Sequence, residues 1–435
     1  MYQHCPKVFT SFKSLKKGKN LTRLKSSNNN MDFEQKINFL NQPETQHFIA
    51  QNADKEVNLL VLNNKKYSKE EIQIIAQQIE GRKRLLKKIP LWQSFSTLIY
   101  PPTLSTEQAS SWTTAQWKAQ FLQSFNSLLD LTGGIGIDCF AFAKTIKQVY
   151  YNESQAELNQ TVQYNFKLLG IENVAFYQQD AQTLLQNTTQ TFDCLYADPA
   201  RRDEANHKIV QLQDCQPNII QLLPIIFSRT THFLLKTSPM LDIQQAVSQL
   251  KAVDTVFILA INNEVKELLF WLKKDTPQNN TSYNIQTLHW HHQQLDTLTA
   301  PSDIEKEQNT TYSSPLQYLY EPNAAILKAG WFKWIAQHYQ LHKLDPNTHL
   351  YTSDTLHKDF QGRIFQIKKK VAYQKKELHT HLPELKANIA TRNFPDSVAT
   401  FRKKMNLKEG GNLYLWGIKT EGKVQVLITE KVSIS

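Results

Sequence analysis

Cysteine is scarce: the chain of 435 residues has four, at positions Cys5, Cys139, Cys194 and Cys215. None stands in a CxxC pair, so neither a disulfide framework nor a cysteine zinc site is signalled. Glycine and proline are sparse too, 12 and 16 in all, which excludes fibrous and low-complexity chains. Long apolar runs are missing. The best stretches, such as 219–227, are short and contain Pro224, against the roughly 18 residues needed to cross a bilayer. These absences predict a soluble, cytoplasmic protein with no membrane contact. What is present is 40% hydrophobic and 11% aromatic content, enough for sizeable cores, in a chain long enough for two or three domains.

The net charge of +11 is unevenly spread. Residues 1–30 carry seven Lys/Arg and no acid, 31–355 carry 27 basic and 32 acidic residues, and 356–435 carry 16 basic and seven acidic. Basic ends on an acidic body suggest a polyanionic partner. The first thirty residues lack the apolar core of a secretory signal and read as a basic disordered tail, or as sequence upstream of a working start at Met31.

From 31 to 98 the apolar spacings of three and four predict a helical region, closing in the basic run Arg82-Lys83-Arg84 with Lys87-Lys88. That run is either a solvated helix end or a phosphate-contacting patch. Another helix is expected over 105–125. Short apolar runs then alternate with helices. Strands are expected at 127–131, 148–152, 174–177, 192–197, 232–236 and 255–260, and the clearest helix at 155–169, with Ser154 capping and Glu157 reaching back. This alternation predicts a parallel α/β sheet with helices on both faces. Residues 276–313 are polar and irregular and read as a linker or insertion, followed by a mixed segment that carries the basic C-terminus.

The first strand ends in Asp130-Leu131-Thr132-Gly133-Gly134-Ile135-Gly136. Glycines there let the backbone approach a bound nucleotide above a helix N-terminus. The second strand ends at Glu153, where an acid can accept both ribose hydroxyls. The third ends in Asp180-Ala181, where a carboxylate can meet an adenine amino group, and the fourth in Asp198-Pro199-Ala200-Arg201-Arg202. Each acid alone reads equally well as a capping or surface carboxylate. Four in register at four strand ends do not read as coincidence.

This pattern resembles that of class I S-adenosylmethionine-dependent methyltransferases, and it lacks the G-x-G-x-x-G of a dehydrogenase. More specifically, Gln78-Ile79-Glu80-Gly81-Arg82, Ile99-Tyr100-Pro101-Pro102, Lys236-Thr237-Ser238-Pro239-Met240 and Asn262-Asn263-Glu264-Val265-Lys266-Glu267 are similar to a bacterial methyltransferase-like family with ferredoxin-like and THUMP-like C-terminal domains. Tyr320-Glu321-Pro322-Asn323 would open the first of these, and Thr391-Arg392-Asn393-Phe394-Pro395 would lie in the second. The resemblance implies a Rossmann-like sheet over 99–275, a ferredoxin-like subdomain over 314–360 and a small α+β THUMP-like domain over 361–435.

It also implies S-adenosyl-L-methionine as cofactor, with Asp130, Thr132, Gly134 and Gly136 at its methionine end, Glu153 on the ribose, and Asp180 with Ala181 on the adenine. Asp198, also a cofactor neighbour, Pro199 and Arg201 would be catalytic, at the place where amino-methyltransferases carry an aromatic motif. Here Ala200 and Arg201 replace its second proline and its aromatic residue. Arg201 and Arg202 would clamp a phosphate, or lie in solvent beside Asp203 and Glu204. RNA, such as tRNA or rRNA, is the expected partner, gripped by Lys368-Lys369-Lys370, Lys375-Lys376 and Arg402-Lys403-Lys404 interleaved with Phe365, Tyr373, Phe394 and Phe401. The alternatives are a protein or small-molecule methyltransferase and a non-catalytic RNA-binding protein. No metal is expected: in His289-Trp290-His291-His292 adjacent side chains point to opposite faces, and no acid stands at ligand spacing. The aromatic stripe Trp331, Phe332, Trp334 and Tyr339 is expected to be core.

Overall fold

The computed structural model describes residues 31–101, 109–201, 211–276, 282–382, 384–420 and 422–433, with the Arg201 side chain excluded. The basic tail of residues 1–30 and the expected clamp residue Arg202 lie outside the described residues. The chain divides into two compact units, Met1–Ala76 and Gln77–Ser435.

The described part of the first unit is helical, as its spacing predicts: α1 (Phe33–Leu40), α2 (Pro43–Gln51), α3 (Val57–Leu62) and the start of α4 (Lys69–Lys88). Asp32 and Gln35 form a reciprocal capping box on α1, and Pro43 opens α2 where no amide donor is needed. Tyr67 packs edge-on against Phe39 and Phe48.

The second unit is built on a nine-stranded sheet. Its strands are β1 (Ser127–Asp130), β2 (Gln148–Asn152), β3 (Val174–Tyr177), β4 (Cys194–Ala197), β5 (His232–Thr237), β6 (Val253–Ile261), β7 (Glu264–Lys273), β8 (Asn284–His291) and β9 (Gln294–Pro301). They lie in the order β3-β2-β1-β4-β5-β7-β6-β8-β9. β1 to β5 are parallel to their neighbours among themselves, whereas β7 runs antiparallel to both β5 and β6. Between them lie α6 (Ile137–Ala143), α7 (Ala156–Leu168), α8 (Ala181–Asn187), α9 (Ile219–Arg229) and α10 (Ile243–Leu250), and α5 (Trp112–Phe121) precedes β1. All six expected strands and the helix at α7 are present. The cap of α7 differs from expectation: Gln155 is the N-cap residue and no side chain caps it. Glu153, the residue after β2, instead accepts from the Gln155 amide at 2.9 Å, and the Ser154 hydroxyl donates to the same carboxylate oxygen.

The segment 276–313 is a correction. Far from being irregular, it holds the hairpin β8–β9, and β8 pairs with β6 to widen the sheet. The turns β6–β7 and β8–β9 each consist of two residues with positive φ, Asn262-Asn263 and His292-Gln293. Such turns match strand twist and favour Asn or Gly. The second uses neither, so its sequence carries no hairpin signal.

The C-terminal region forms a seven-stranded sheet from β10 (Tyr318–Pro322), β11 (His342–Asp345), β12 (Thr348–Ser353), β13 (Gly362–Ala372), β14 (Asn388–Arg392), β15 (Leu413–Thr420) and β16 (Lys423–Lys431). The order is β11-β12-β10-β13-β16-β15-β14. Tyr320, Ile326, Trp331 and Tyr351 join one apolar core with the face of the first sheet that α8, α9 and α10 cover, through Leu129, Leu235 and Ile258. Trp331 and Tyr339 are buried, so the aromatic stripe packs the core as expected. Among the described residues no helix is long and apolar enough to cross a membrane.

Candidate active site

In an open sheet the ligand crevice lies at the carboxyl ends of the strands, where their order reverses. Here that point falls between β1 and β4, and a cavity of about 790 Å³ opens there, within the range of small-molecule sites. Asp130, Thr132, Gly134, Gly136, Glu153, Asp180, Ala181, Asp198 and Pro199 all line it. Arg201 is not among its described lining residues: its backbone pairs with Cys215 in a two-residue ladder, and its side chain lies outside the described residues.

The glycine loop folds back on itself. Gly136 donates its amide to Gly133 O at 3.0 Å and has φ +80°, a conformation that side chains rarely adopt. A Cβ there would also stand 2.8 Å from Val162 Cγ1. Gly133 leaves no room either: its Cβ would fall 2.0 Å from the Tyr151 ring, whose hydroxyl donates to Gly134 O at 2.6 Å. The backbone is thus held low, and the space above it belongs to the cavity.

Each acid has local partners. Glu153 accepts from the amides of Gly134 (3.1 Å) and Gln155 (2.9 Å), which aims its carboxylate between loop and helix. Asp180 caps α8 through Oδ1, accepting from Gln182 and Thr183, so it does the ordinary capping work as well as lining the cavity. Asp130 is 1% exposed; burial, reinforced by the nearby carboxylates Asp138, Asp198 and Glu153, pushes its pKa well above the usual range, and its one resolved partner is the Thr132 amide. The Asp198 amide donates to Thr132 Oγ1 at 2.6 Å, tying the loops after β1 and β4 together.

Below Asp198 lies a network that the sequence did not indicate, although Lys236 and Glu267 both fall in segments that carry the family resemblance. The Lys236 ammonium, at the end of β5, pairs with Asp198 Oδ2 and stands 3.9 Å from Glu267 Oε2 on antiparallel β7. Glu267 in turn binds Lys118 Nζ from α5 at 3.1 and 3.3 Å. Lys118, fully buried, reaches Asp138 Oδ1 at 2.8 Å, and Tyr196 and Ser110 donate to Asp138 Oδ2. Burial opposes charge on Lys236, yet Asp198, Glu267 and Asp138 together hold its pKa above the usual lysine value. Burial likewise opposes charge on Asp138, and Lys118 and Lys236 overcome it, leaving its pKa below the usual value. The one available signal was Glu267 itself, an acid at the head of the apolar run 268–272. Lys118 has none, because its acidic partners, Glu267 on β7 and Asp138 on α6, meet it only through packing.

Residues 318–360 match the family described as a ferredoxin-like domain, and 362–431 one described as THUMP domain-like. The C-terminal region is a ferredoxin-like domain followed by a THUMP-like one. Over nearly its whole length the chain is similar to the crystal structure of a candidate methyltransferase from Porphyromonas gingivalis W83: 29% identity, TM-score 0.81, covering 92% of this chain and 99% of the other. A candidate methyltransferase from Streptococcus mutans in complex with SAH (18% identity, TM-score 0.28, 36% and 97% coverage) also matches. So does an rRNA methylase from Streptococcus thermophilus (17%, 0.28, 36% and 94%). Neither of these two likenesses carries weight at that score. No curated protein matches.

The segments that carry the family resemblance now have physical roles. Gln78 exchanges two hydrogen bonds with the Tyr100 backbone, at 3.0 and 2.9 Å, and a Cβ on Gly81 would meet Tyr100 Cβ at 2.7 Å. In the ferredoxin-like domain Glu321, 2% exposed, pairs with Arg363 and with Arg392 of the THUMP-like domain. The lysines 368–370, 375, 376, 403 and 404 are exposed. Their aromatic neighbours are not stacking platforms: Phe365 and Phe401 are fully buried, and Tyr373 and Phe394 pack around Phe401.

The histidine cluster departs from expectation. His289 and His291, two apart on β8, share a face with rings stacked at 4.9 Å, and Asp296 on β9 lies across from them, 2.7 Å from His291 Nε2. The acid arrives through cross-strand register, not through sequence spacing. The Asn263 amide donates to His289 Nε2 at 3.0 Å, which leaves the ring proton on Nδ1, facing Asp296. In that tautomer Nδ1 has no lone pair for a metal.

Proposed function

We propose that the protein is an S-adenosylmethionine-dependent methyltransferase acting on structured RNA, tRNA or rRNA, presented by its basic C-terminal region. The observation that carries this reading is the convergence of the four strand ends on one cavity at the switch point of the sheet. The likeness to the P. gingivalis candidate methyltransferase supports the chemistry, and the THUMP-like domain with its exposed lysines supports RNA.

The cavity fits the cofactor's donor and acceptor pattern. Gly134 and Gly136, both at positive φ, leave the loop without side chains where the methionine end of the cofactor would approach. Glu153 Oε2 keeps a lone pair for a ribose hydroxyl beyond its bond to the Gly134 amide, whereas Oε1 already accepts from the Gln155 amide and from Ser154 Oγ. Asp180 Oδ2 is left for the adenine amino group, since the cap uses Oδ1. Asp130, Thr132 and the glycine loop would hold the methionine end. When bound, the cofactor supplies a methyl carbon on a sulfonium, an already activated leaving group. The protein's part is alignment: the Thr132–Asp198 bond fixes where Asp198 meets the acceptor, and the closed network beneath keeps its partner Lys236 in place.

Calorimetry with S-adenosylhomocysteine tests the site: binding to the wild-type protein, weakened in Glu153→Ala, is expected, and equal affinity in the two would refute it. Transfer of labelled methyl to total RNA from a strain lacking the gene tests the substrate.

A further inference from the structure

We propose that the acceptor at this site is a hydroxyl oxygen, the 2′-hydroxyl of an RNA ribose, with Asp198 receiving its proton and Lys236 stabilising its developing negative charge. This rests on the methyltransferase reading above and names the atom on which it acts. The carrying observation is an ammonium on the cavity wall. Lys236 is 8% exposed, lines the cavity, and holds Asp198 by an ion pair. Its three donors exceed what Asp198 takes, and Glu267 at 3.9 Å attracts it without a hydrogen bond, so it can donate into the cavity.

The sign of that charge discriminates between acceptors. A nitrogen acceptor gains positive charge as it is methylated, and an ammonium beside it opposes the transition state. An oxygen acceptor gains negative charge as its proton leaves, and the same ammonium favours it. The second tier keeps Lys236 charged and placed: Lys118 holds Glu267 and Asp138 from beneath, and burial shields the set from water. Two buried lysines among three carboxylates are an expensive way to hold a fold, since apolar residues of similar size do it as well or better. Stacking chemistry is missing as well. Among the described residues lining the cavity Tyr196 alone is aromatic, and it is 1% exposed with its hydroxyl committed to Asp138. Among these described residues a flipped base would find no open ring to lie on. A ribose hydroxyl needs none and is displayed on the surface of folded RNA.

In the transfer itself the hydroxyl oxygen forms the new bond to the methyl carbon, and the carbon–sulfur bond breaks with its electron pair left on sulfur. The hydroxyl proton passes to the Asp198 carboxylate and from there to water. Lys236 stays protonated throughout.

The test uses the full chain, labelled S-adenosylmethionine and total RNA from a strain lacking the gene, with the product hydrolysed in alkali. Label in alkali-stable dinucleotides is expected, since a 2′-O-methyl group blocks cleavage of the adjoining phosphodiester. Label in a base would overturn the hydroxyl inference and leave the methyltransferase reading standing. No label in RNA, with S-adenosylhomocysteine still binding in calorimetry, would overturn the inference and the RNA acceptor but not the cofactor site. Absence of binding would overturn the parent reading itself. Lys236→Gln should cut transfer roughly a hundredfold while leaving S-adenosylhomocysteine affinity unmoved. Lys236→Arg, which keeps the charge and the fold, should recover part of the rate. A loss of cofactor affinity in Lys236→Gln as large as in Glu153→Ala would put Lys236 on the cofactor side and refute the assignment.

Discussion

The two sheets of the second unit handle charge in opposite ways. At the nine-stranded sheet Lys236 on β5 and Lys118 on the adjoining α5 are taken out of water and paired with carboxylates around the cavity. In the region of the seven-stranded sheet, lysines 368–370 on β13 and 403–404 on the helix Val398–Met405 stay in solvent, and two of their partners, Glu430 and Asp396, lie at the surface or beside it. Glu321 is intermediate, a buried acid held by two arginines that are each more than a third exposed. A buried cation has lost its hydration and acts only where its neighbours place it, which suits one bond in one geometry. A solvated cation keeps its counterions and can exchange them for phosphates, which suits grip without choice. On the proposed function, the contrast places chemistry on the first sheet and delivery on the second.

That contrast can be broken experimentally. The largest effect is expected from Lys118→Met, which strands Glu267 and Asp138 without their cation and should cost about 3–5 kcal/mol of stability in denaturant unfolding. A cost near that of an exposed lysine would mean that the network is not a buried one. Asp198→Ala should lower methyl transfer by at least about a hundredfold with cofactor binding retained. Glu153→Ala should weaken S-adenosylhomocysteine binding by about tenfold, or ~1.4 kcal/mol, in calorimetry. Replacing Lys369, Lys370 and Lys403 with Ala should leave the folding free energy alone and weaken RNA binding evenly across sequences. The salt slope of that binding should fall by up to about one for each phosphate no longer neutralised. An unchanged slope would detach this face from RNA.

The smallest effect concerns Asp296. Burial works against its charge, but the two imidazoles beside it, His289 at 3.8 Å and His291 hydrogen-bonded at 2.7 Å, outweigh this and hold its carboxyl below the ordinary value. A depressed carboxyl contributes stability that is present above the unfolded-state pKa and is lost as pH falls through the folded one. Asp296→Asn should therefore cost about 1 kcal/mol at neutral pH and nothing once the medium is acid enough to protonate the wild-type group. Addition of zinc should not raise the melting temperature of either form; a rise confined to the wild type would show a metal site on the hairpin.

Much of the architecture was legible because it is local. The helical spacing before residue 98, the six strands and the glycine turn after β1 depend on periodicity and on near neighbours in the chain. The acids at four strand ends were legible as a set, because a parallel sheet brings successive strand ends to one edge. Where reading failed, register or long-range pairing made the decision. The hairpin β8–β9 turns on His292-Gln293, residues with no turn signature, and the same register sets Asp296 opposite His289.

By itself, then, the order of residues determined that this protein holds an α/β sheet with acids gathered at its strand ends and a basic C-terminal region, since each of those follows from pattern and composition. Only the tertiary structure decided that Lys118, 149 residues before Glu267 in the chain, closes on it beneath Asp198. Burial turns an ordinary lysine into a fixed charge, and burial is a property of the packed molecule, visible in no window of its sequence.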